Sequence, residues 1–179
     1  MPFEIVTVRK LEAAKRQLQT VITLWFADAD SVSVHTLACA AHQIVHDINA
    51  DRKGNELLFD SVVIKEEFRS EYLSEMRKAM NFFKHADRDP DPSGSIEFSQ
   101  AITDLFILFS IIGIERFGER LSETSVAFLL YYAIKNPHLV AKEFSDRFKV
   151  EYLADVPAVS KREFLDHFLH VKRSTTSAG

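Results

Sequence analysis

Four polar residues near the middle of the chain have the types and the spacing that acid–base chemistry on a phosphate requires. Arg77, Asn81 and His85 follow one another at intervals of four, and Lys84 is next to the histidine. On an α-helix this spacing places side chains along one face. A histidine transfers protons, while an amide and cations orient and stabilise a phosphate-centred transition state. RNA cleavage needs no metal ion when the 2′-hydroxyl attacks its own phosphodiester, so the pattern predicts that chemistry.

The same residues also have a structural interpretation without chemistry. Polar side chains commonly end a helix, and cations in the last turn interact favourably with the helix dipole. Lys84 and His85 would then only stabilise the end of their helix, before the acidic segment at 87–97. Both interpretations stay open at the level of the sequence.

The stretch NFFKHADRD (81–89) resembles the signature of the HEPN superfamily. Asn81 and His85 match the polar residue and the histidine of the family motif. Met80 stands where the family has an arginine, and Asp87 replaces an aromatic residue.

This resemblance covers about residues 8–118 and implies a small, all-α, usually dimeric domain. Many members are metal-independent ribonucleases of toxin–antitoxin or defence systems. For this chain the resemblance implies an RNA- or nucleotide-interacting domain without a cofactor, with His85 as acid or base and Asn81 orienting the phosphate. Lys84 and Arg77 would stabilise the charge of the phosphate, and Arg88 is an alternative to the missing motif arginine.

Two further patterns favour metal binding as an alternative function. His35, His42 and His46 form a strip along one predicted helix, and a pair of histidines four residues apart is a common metal-binding arrangement. The segment DPDPSGSIEFSQ (89–100) has the order of a calcium loop, with ligands at Asp89, Asp91 and Ser93. Its twelfth position is a glutamine, which lacks the carboxylate that calcium loops use there. The ordinary interpretations are core-border histidines and a solvated connector.

Composition excludes several other classes of protein. The net charge is −4, which does not favour broad non-specific binding to nucleic acid. A single cysteine, Cys39, excludes a disulfide framework and fits a reducing cytosol. The longest apolar run, LFILFSIIGI, is about half the length of a membrane span. We therefore expect a cytoplasmic protein without membrane contact.

Hydrophobic residues recur at helical spacing along most of the chain, which predicts an all-α fold. We expect a single-domain antiparallel helical bundle with additional C-terminal helices, over residues 1–171, with a core at about 8–118, an extension at about 122–170 and a flexible tail at 172–179. The predicted helices cover about 8–26, 31–48, 62–86, 98–117, 122–136 and 160–170, with a further turn after Pro137. Ser122 is a predicted helix cap, and SKRE (160–163) is a predicted capping box in which Ser160 pairs with Glu163. FEIVTV (3–8) is a candidate edge strand.

Two of the predicted helices, 98–117 and 122–136, are apolar around most of their circumference. One domain of this size encloses one such helix, and a second leaves apolar surface that a partner has to cover. We therefore expect a homodimer with a two-fold interface and His85 near its axis. A structural or partner-binding protein without chemistry is a third possibility.

Overall fold

The computed structural model describes residues 3–54, 57, 65–85, 90–139, 142, 146 and 159–176. Within this part, six α-helices have defined bounds and no strand is present, which confirms the all-α prediction. The helices are α1 (Lys10–Phe26), α2 (Ser31–Asp51), α3 (Glu66–Lys84), α4 (Gln100–Arg116), α5 (Glu123–Lys135) and α6 (Lys161–Thr176), and a 3₁₀ turn covers Pro137–Leu139. None of the described helices is long and apolar enough to cross a membrane.

Side-chain caps fix the starts of four helices, including α4, where the Ser99 hydroxyl accepts a hydrogen bond from the backbone N–H of Ala101. The Asp30 carboxylate accepts a hydrogen bond from the backbone N–H of Ser33, and the Ser122 hydroxyl accepts one from that of Ser125. Ser160 and Glu163 form the reciprocal pair that the sequence SKRE predicts, with the Glu163 carboxylate 2.9 Å from the Ser160 backbone nitrogen. These caps satisfy backbone N–H groups that have no partner inside the helix.

Three predicted ends require correction. Residues 3–9 are neither helix nor strand, because no described segment pairs with them. Helix α3 ends at Lys84, and its start at Glu66 follows residues outside the described part. The last helix runs to Thr176 and not to His170, so it includes five residues of the predicted tail.

The directions of α1, α2 and α4 are those of helices that alternate along the chain. His35 and Val45 of α2 contact Thr103 and Gly113 of α4, ten residues further along each helix, so α2 and α4 run in the same direction. The close approach requires a glycine, because a β-carbon on Gly113 would lie 2.2 Å from Val45 Cγ1. Helix α1 runs opposite to α4, since Trp25 contacts the start of α4 and Lys15 pairs with Glu119 beyond its end.

Helix α2 packs closely on α1 and α4, and α4 in turn packs on α1, α2 and α5. The inner face of α4 is fully buried among α1, α2 and α5, and its outer side chains are partly buried. On the outer face of α4, the apolar side chains keep part of their surface exposed, namely those of Ile102, Leu105, Leu108, Phe109 and Ile112. None of the most exposed large apolar side chains of the described residues lies on α4 or α5. Those side chains are Phe3, Ile5, Val6, Val8, Val32, Phe68, Phe82, Leu139 and Val171.

Candidate functional site

The predicted RNA site lies at the C-terminal end of α3. Asn81 and Lys84 are exposed in the last turn, and Arg77 is half-buried one turn earlier. His85 is the exposed residue that ends the helix, and its backbone N–H donates to the Asn81 carbonyl at 3.0 Å. The helix therefore holds the four predicted residues at one end, with three of them in contact with solvent.

Met80 and Phe82, which flank Asn81 in the sequence, have opposite environments. Met80, which occupies the position of the family arginine, has only 9% of its surface exposed and packs in the core. An arginine at this position would point away from solvent. Phe82 has the opposite environment, because 39% of its surface is exposed beside Asn81. An exposed aromatic ring next to cations is a surface on which a nucleic-acid base can stack.

The cations of α3 act on buried histidines of α2. Burial lowers the pKa of His35 to about 4, and the charge of Lys84 lowers it further in the same direction. Burial also lowers the pKa of His42 to about 3, with contributions from His46 and Arg77.

The histidine strip on α2 belongs mainly to the core. His35 and His42 have no exposed surface, whereas the His46 side chain is 14% exposed. His35 lies with Nδ1 2.8 Å from the Thr103 hydroxyl and Nε2 3.3 Å from the Cys39 sulfur, so both ring nitrogens have a partner. Rings of Phe83, Phe98 and Phe106 surround it.

Burial raises the pKa of the Cys39 thiol to about 12, so the sulfur is not a nucleophile in this environment. No set of three His, Cys, Asp or Glu side chains converges on a metal-sized site in the described part of the chain. The histidine strip thus has the contacts of a packed polar core.

The calcium-loop interpretation concerns a segment that is only partly described. Asp89 lies outside the described residues. Asp91 is exposed, and its Oδ1 accepts hydrogen bonds from the backbone N–H and the hydroxyl of Ser93, at 2.9 and 2.8 Å. These bonds lower the pKa of the Asp91 carboxyl below its usual value. Asp91 and Ser93, the two described residues of the proposed ligand set, are therefore hydrogen-bonded to each other. They lie in a turn in which the Gly94 backbone N–H donates to the Asp91 carbonyl.

A polar cavity of about 120 Å³ lies where α1, α2, α4 and α6 meet. The indole N–H of Trp25 donates to Asp104 Oδ1 at 2.7 Å. The Lys161 ammonium lies 4.0 Å from the centroid of the Trp25 ring and 3.0 Å from Asp28 Oδ1. Ala29, Ser31, Val34, Gln100 and Thr103 complete the lining.

Burial is the main influence on the Asp104 carboxyl. It raises the pKa of Asp104 above the usual value, although the Trp25 hydrogen bond and the Lys161 charge act in the opposite direction. Asp28 is one of two non-glycine residues with positive φ in the described chain, at 48°. Aspartate tolerates this left-handed conformation better than most residues.

The sequence did not indicate this cavity. Trp25 belongs to an apolar stripe, Lys161 lies inside a capping sequence, and Asp104 is one acidic residue on an apolar helix. They are distant in sequence, and the two partners of the Trp25–Asp104 bond are 79 positions apart. Only the packing of four helices brings them together.

Comparisons with known proteins return no relationship for this chain: no family model, no curated protein and no solved structure matches it.

Proposed function

We propose that this protein binds RNA at the C-terminal end of α3 and cleaves it without a metal ion. The observation that supports the proposal is the placement of Asn81, Lys84 and His85 together on solvent at the end of one helix, with Arg77 a turn behind. The resemblance of NFFKHADRD to the HEPN motif gives these residues their roles. A reducing, cytoplasmic environment is consistent with the single buried cysteine.

The chemistry uses groups that the site and the substrate contain. The 2′-oxygen of one nucleotide attacks the adjacent phosphorus and loses its proton to water. The bond from phosphorus to the 5′-oxygen breaks, and the His85 imidazolium gives that oxygen its proton. Lys84 and Arg77 stabilise the additional negative charge, and Asn81 orients a phosphate oxygen. The products are a 2′,3′-cyclic phosphate and a 5′-hydroxyl.

Phe82 gives the proposal a way to hold a single-stranded substrate. Its ring is exposed on the last turn of α3, which also contains Asn81 and Lys84, and it offers a base a surface on which to stack. Stacking tolerates different bases, and weak sequence preference is therefore expected. The net charge of −4 restricts the contact to a small local site.

The decisive experiment measures cleavage of a labelled single-stranded RNA by the purified protein in excess chelator. We expect His85→Ala to reduce the rate by about 10²- to 10⁴-fold, the usual contribution of a general acid. Asn81→Ala should also remove activity, while both variants keep the helical circular dichroism of the parent. His138→Ala changes an exposed histidine of the 3₁₀ turn and is the matched control.

Substrate chemistry provides an independent check. RNA with a 2′-O-methyl group at the cleaved position should bind but resist cleavage, because its 2′-oxygen has no proton to lose. Equal activity in the parent, His85→Ala and Asn81→Ala proteins would refute the site. Cleavage that stops in chelator would refute the metal-free mechanism.

The homodimer that the family resemblance implies is part of this proposal. The partly exposed apolar side chains on the outer face of α4 are the surface that a second copy of the chain would cover. Light scattering at micromolar concentration should give twice the chain mass of 20.5 kDa. A stable monomer would remove the dimer and the expected position of His85 near a two-fold axis.

A further inference from the structure

We propose that the cavity between Trp25, Asp104 and Lys161 binds a small organic cation with a primary ammonium group, whose charge pairs with the Asp104 carboxylate. This inference is independent of the proposed RNA chemistry, because the cavity is built from α1, α2, α4 and α6 and contains no residue of α3.

The hydrogen-bonding groups of the cavity wall favour a ligand that donates hydrogen bonds. Trp25 donates its single indole N–H to Asp104 Oδ1, and Lys161 directs one of its three N–H donors to Asp28 Oδ1. Among the described residues, Asp104 accepts one hydrogen bond, and a carboxylate has about four lone-pair positions. The Ser31 hydroxyl adds a further acceptor to the lining, whereas the Thr103 hydroxyl already contacts the His35 ring. An ammonium group has three donors and no acceptor, which matches this surplus.

The protein already places an ammonium group in this environment. Lys161 Nζ lies over the face of Trp25 at 4.0 Å and next to the Asp28 carboxylate. The negative face of an indole ring attracts cations, and the attraction increases when water is excluded. The wall of the cavity therefore accommodates an ammonium ion, and the single charge of Lys161 faces two carboxylates, those of Asp28 and Asp104.

The starts of three helices favour the opposite charge. Ser31, Gln100 and Lys161 are the first residues of α2, α4 and α6, and each helix start has about half a positive charge. Capping groups from Asp30, Ser99 and Ser160 reduce the effect of these three ends. An anion would also have to approach the full charges of Asp28 and Asp104. The two carboxylates therefore outweigh the helix starts, and the cavity favours a positively charged ligand.

The size of the cavity limits the ligand. An apolar protein cavity of about 150 Å³ accepts a benzene molecule. The cavity here has a volume of about 120 Å³, which suits an ammonium ion with one or two carbon atoms or the amine end of a longer molecule. A quaternary ammonium ion has no N–H to donate, and Lys161 already covers the ring face that would attract it.

Trp25 makes the test direct because it is the only tryptophan in the chain. Its indole N–H gives one resolved NMR signal from the bond to Asp104, and titration with ethylammonium chloride should shift this signal along a saturable curve. Sodium chloride at the same ionic strength, sodium acetate and tetramethylammonium chloride should give no saturable shift. The experiment uses the full chain at neutral pH.

Four variants separate a specific site from a general salt effect. Asp104→Asn keeps an acceptor for Trp25 but removes the charge, and it should weaken ethylammonium binding at least tenfold. Lys161→Gln removes the competing cation and should strengthen binding several-fold. Gln100→Glu adds a carboxylate at the exposed mouth and should also strengthen binding, so the test does not depend on the stability of one variant. Glu4→Gln makes the same type of charge change on the exposed N-terminal segment and should have no effect.

The outcomes distinguish the alternatives. A shift that grows linearly and equally with every salt would overturn the proposal, as would unchanged affinity in both Asp104→Asn and Gln100→Glu. Saturable binding of acetate in place of ethylammonium would show that the helix starts dominate and that the cavity is an anion site. RNA cleavage by Asp104→Asn should equal that of the parent, so failure of the cation site and failure of the α3 site are separate results.

Discussion

The His35 imidazole and the Thr103 hydroxyl form a buried contact of 2.8 Å between two helices that run in the same direction. Neither residue has more than 3% of its surface exposed. The contact fixes the register of α2 against α4, because only one alignment brings the ring nitrogen to the hydroxyl. Cys39 lies on the other side of the same ring, at its Nε2 atom.

Removing the hydroxyl should leave this ring nitrogen without a partner in the core. We expect Thr103→Val to lower the free energy of unfolding by about 1–3 kcal/mol, the cost of an unsatisfied buried polar atom. Thr103→Ser retains the hydroxyl and should cost less. Urea unfolding followed by circular dichroism measures both variants, and a Thr103→Val protein as stable as the parent would show that the contact contributes nothing.

The two buried histidines should make the fold sensitive to acid. The pKa of His35 is lowered to about 4 and that of His42 to about 3, whereas histidine in an unfolded chain titrates near 6.5. Above that value both states are neutral. As the pH falls below it, the unfolded chain takes up protons that the folded protein excludes, so stability decreases until the folded pKa is reached. His35 alone accounts for about 3 kcal/mol between pH 6.5 and 4.

Unfolding in urea between pH 7.5 and 4.5 measures this slope. His42→Gln removes one titrating group from the core and should reduce the slope, even if it lowers stability at pH 7.5. His138→Gln changes an exposed histidine and should leave the slope unchanged, although carboxyl groups contribute to both curves at the acid end. Identical slopes in the parent and His42→Gln would contradict the exclusion of protons from His42.

The features that the sequence predicted well are local. The caps at Ser122 and at Ser160–Glu163 depend on residues three positions apart, and the structure has both. The position of Arg77, Asn81 and Lys84 on one helix depends on a spacing of three and four, and α3 contains all three residues. Their role in catalysis is a separate question, which the RNA experiment addresses.

The features that the sequence did not indicate require contacts between distant residues. The contact of His35 with Thr103 joins positions 68 residues apart, and periodicity alone places His35 only near the border of the core. The rotation of α2 then decides whether the histidines face solvent or the core. The Trp25–Asp104 contact could not be predicted for the same reason, because the sequence around an aspartate on an apolar helix does not indicate which distant residue it contacts.

The packing of α2 on α4 predicts a specific coupling between Gly113 and Val45. Alanine at 113 favours a helix by about 1 kcal/mol over glycine, but its β-carbon would lie 2.2 Å from Val45 Cγ1. Overpacking of this type costs about 1–3 kcal/mol, so we expect Gly113→Ala to destabilise the protein. Combining it with Val45→Ala frees the space, and the double variant should be more stable than the sum of the two changes by about 1 kcal/mol. If the changes in unfolding free energy of the two single variants simply add in the double variant, the two side chains do not compete for the same space.

The bond between Trp25 and Asp104 allows the titration of one carboxyl group to be followed in the intact protein. Burial raises the pKa of Asp104 above the ordinary aspartate value of 3.8, and the positive charge of Lys161 holds it lower than burial alone would. Protonation of Asp104 weakens the acceptor of the indole N–H, so the fluorescence and the NMR signal of Trp25 should change with a midpoint above 3.8. Lys161→Gln should move the midpoint to higher pH, because the cation that stabilises the carboxylate is lost. Asp104→Asn should abolish the transition, and a Trp25 signal that titrates identically in this variant would assign the midpoint to another group.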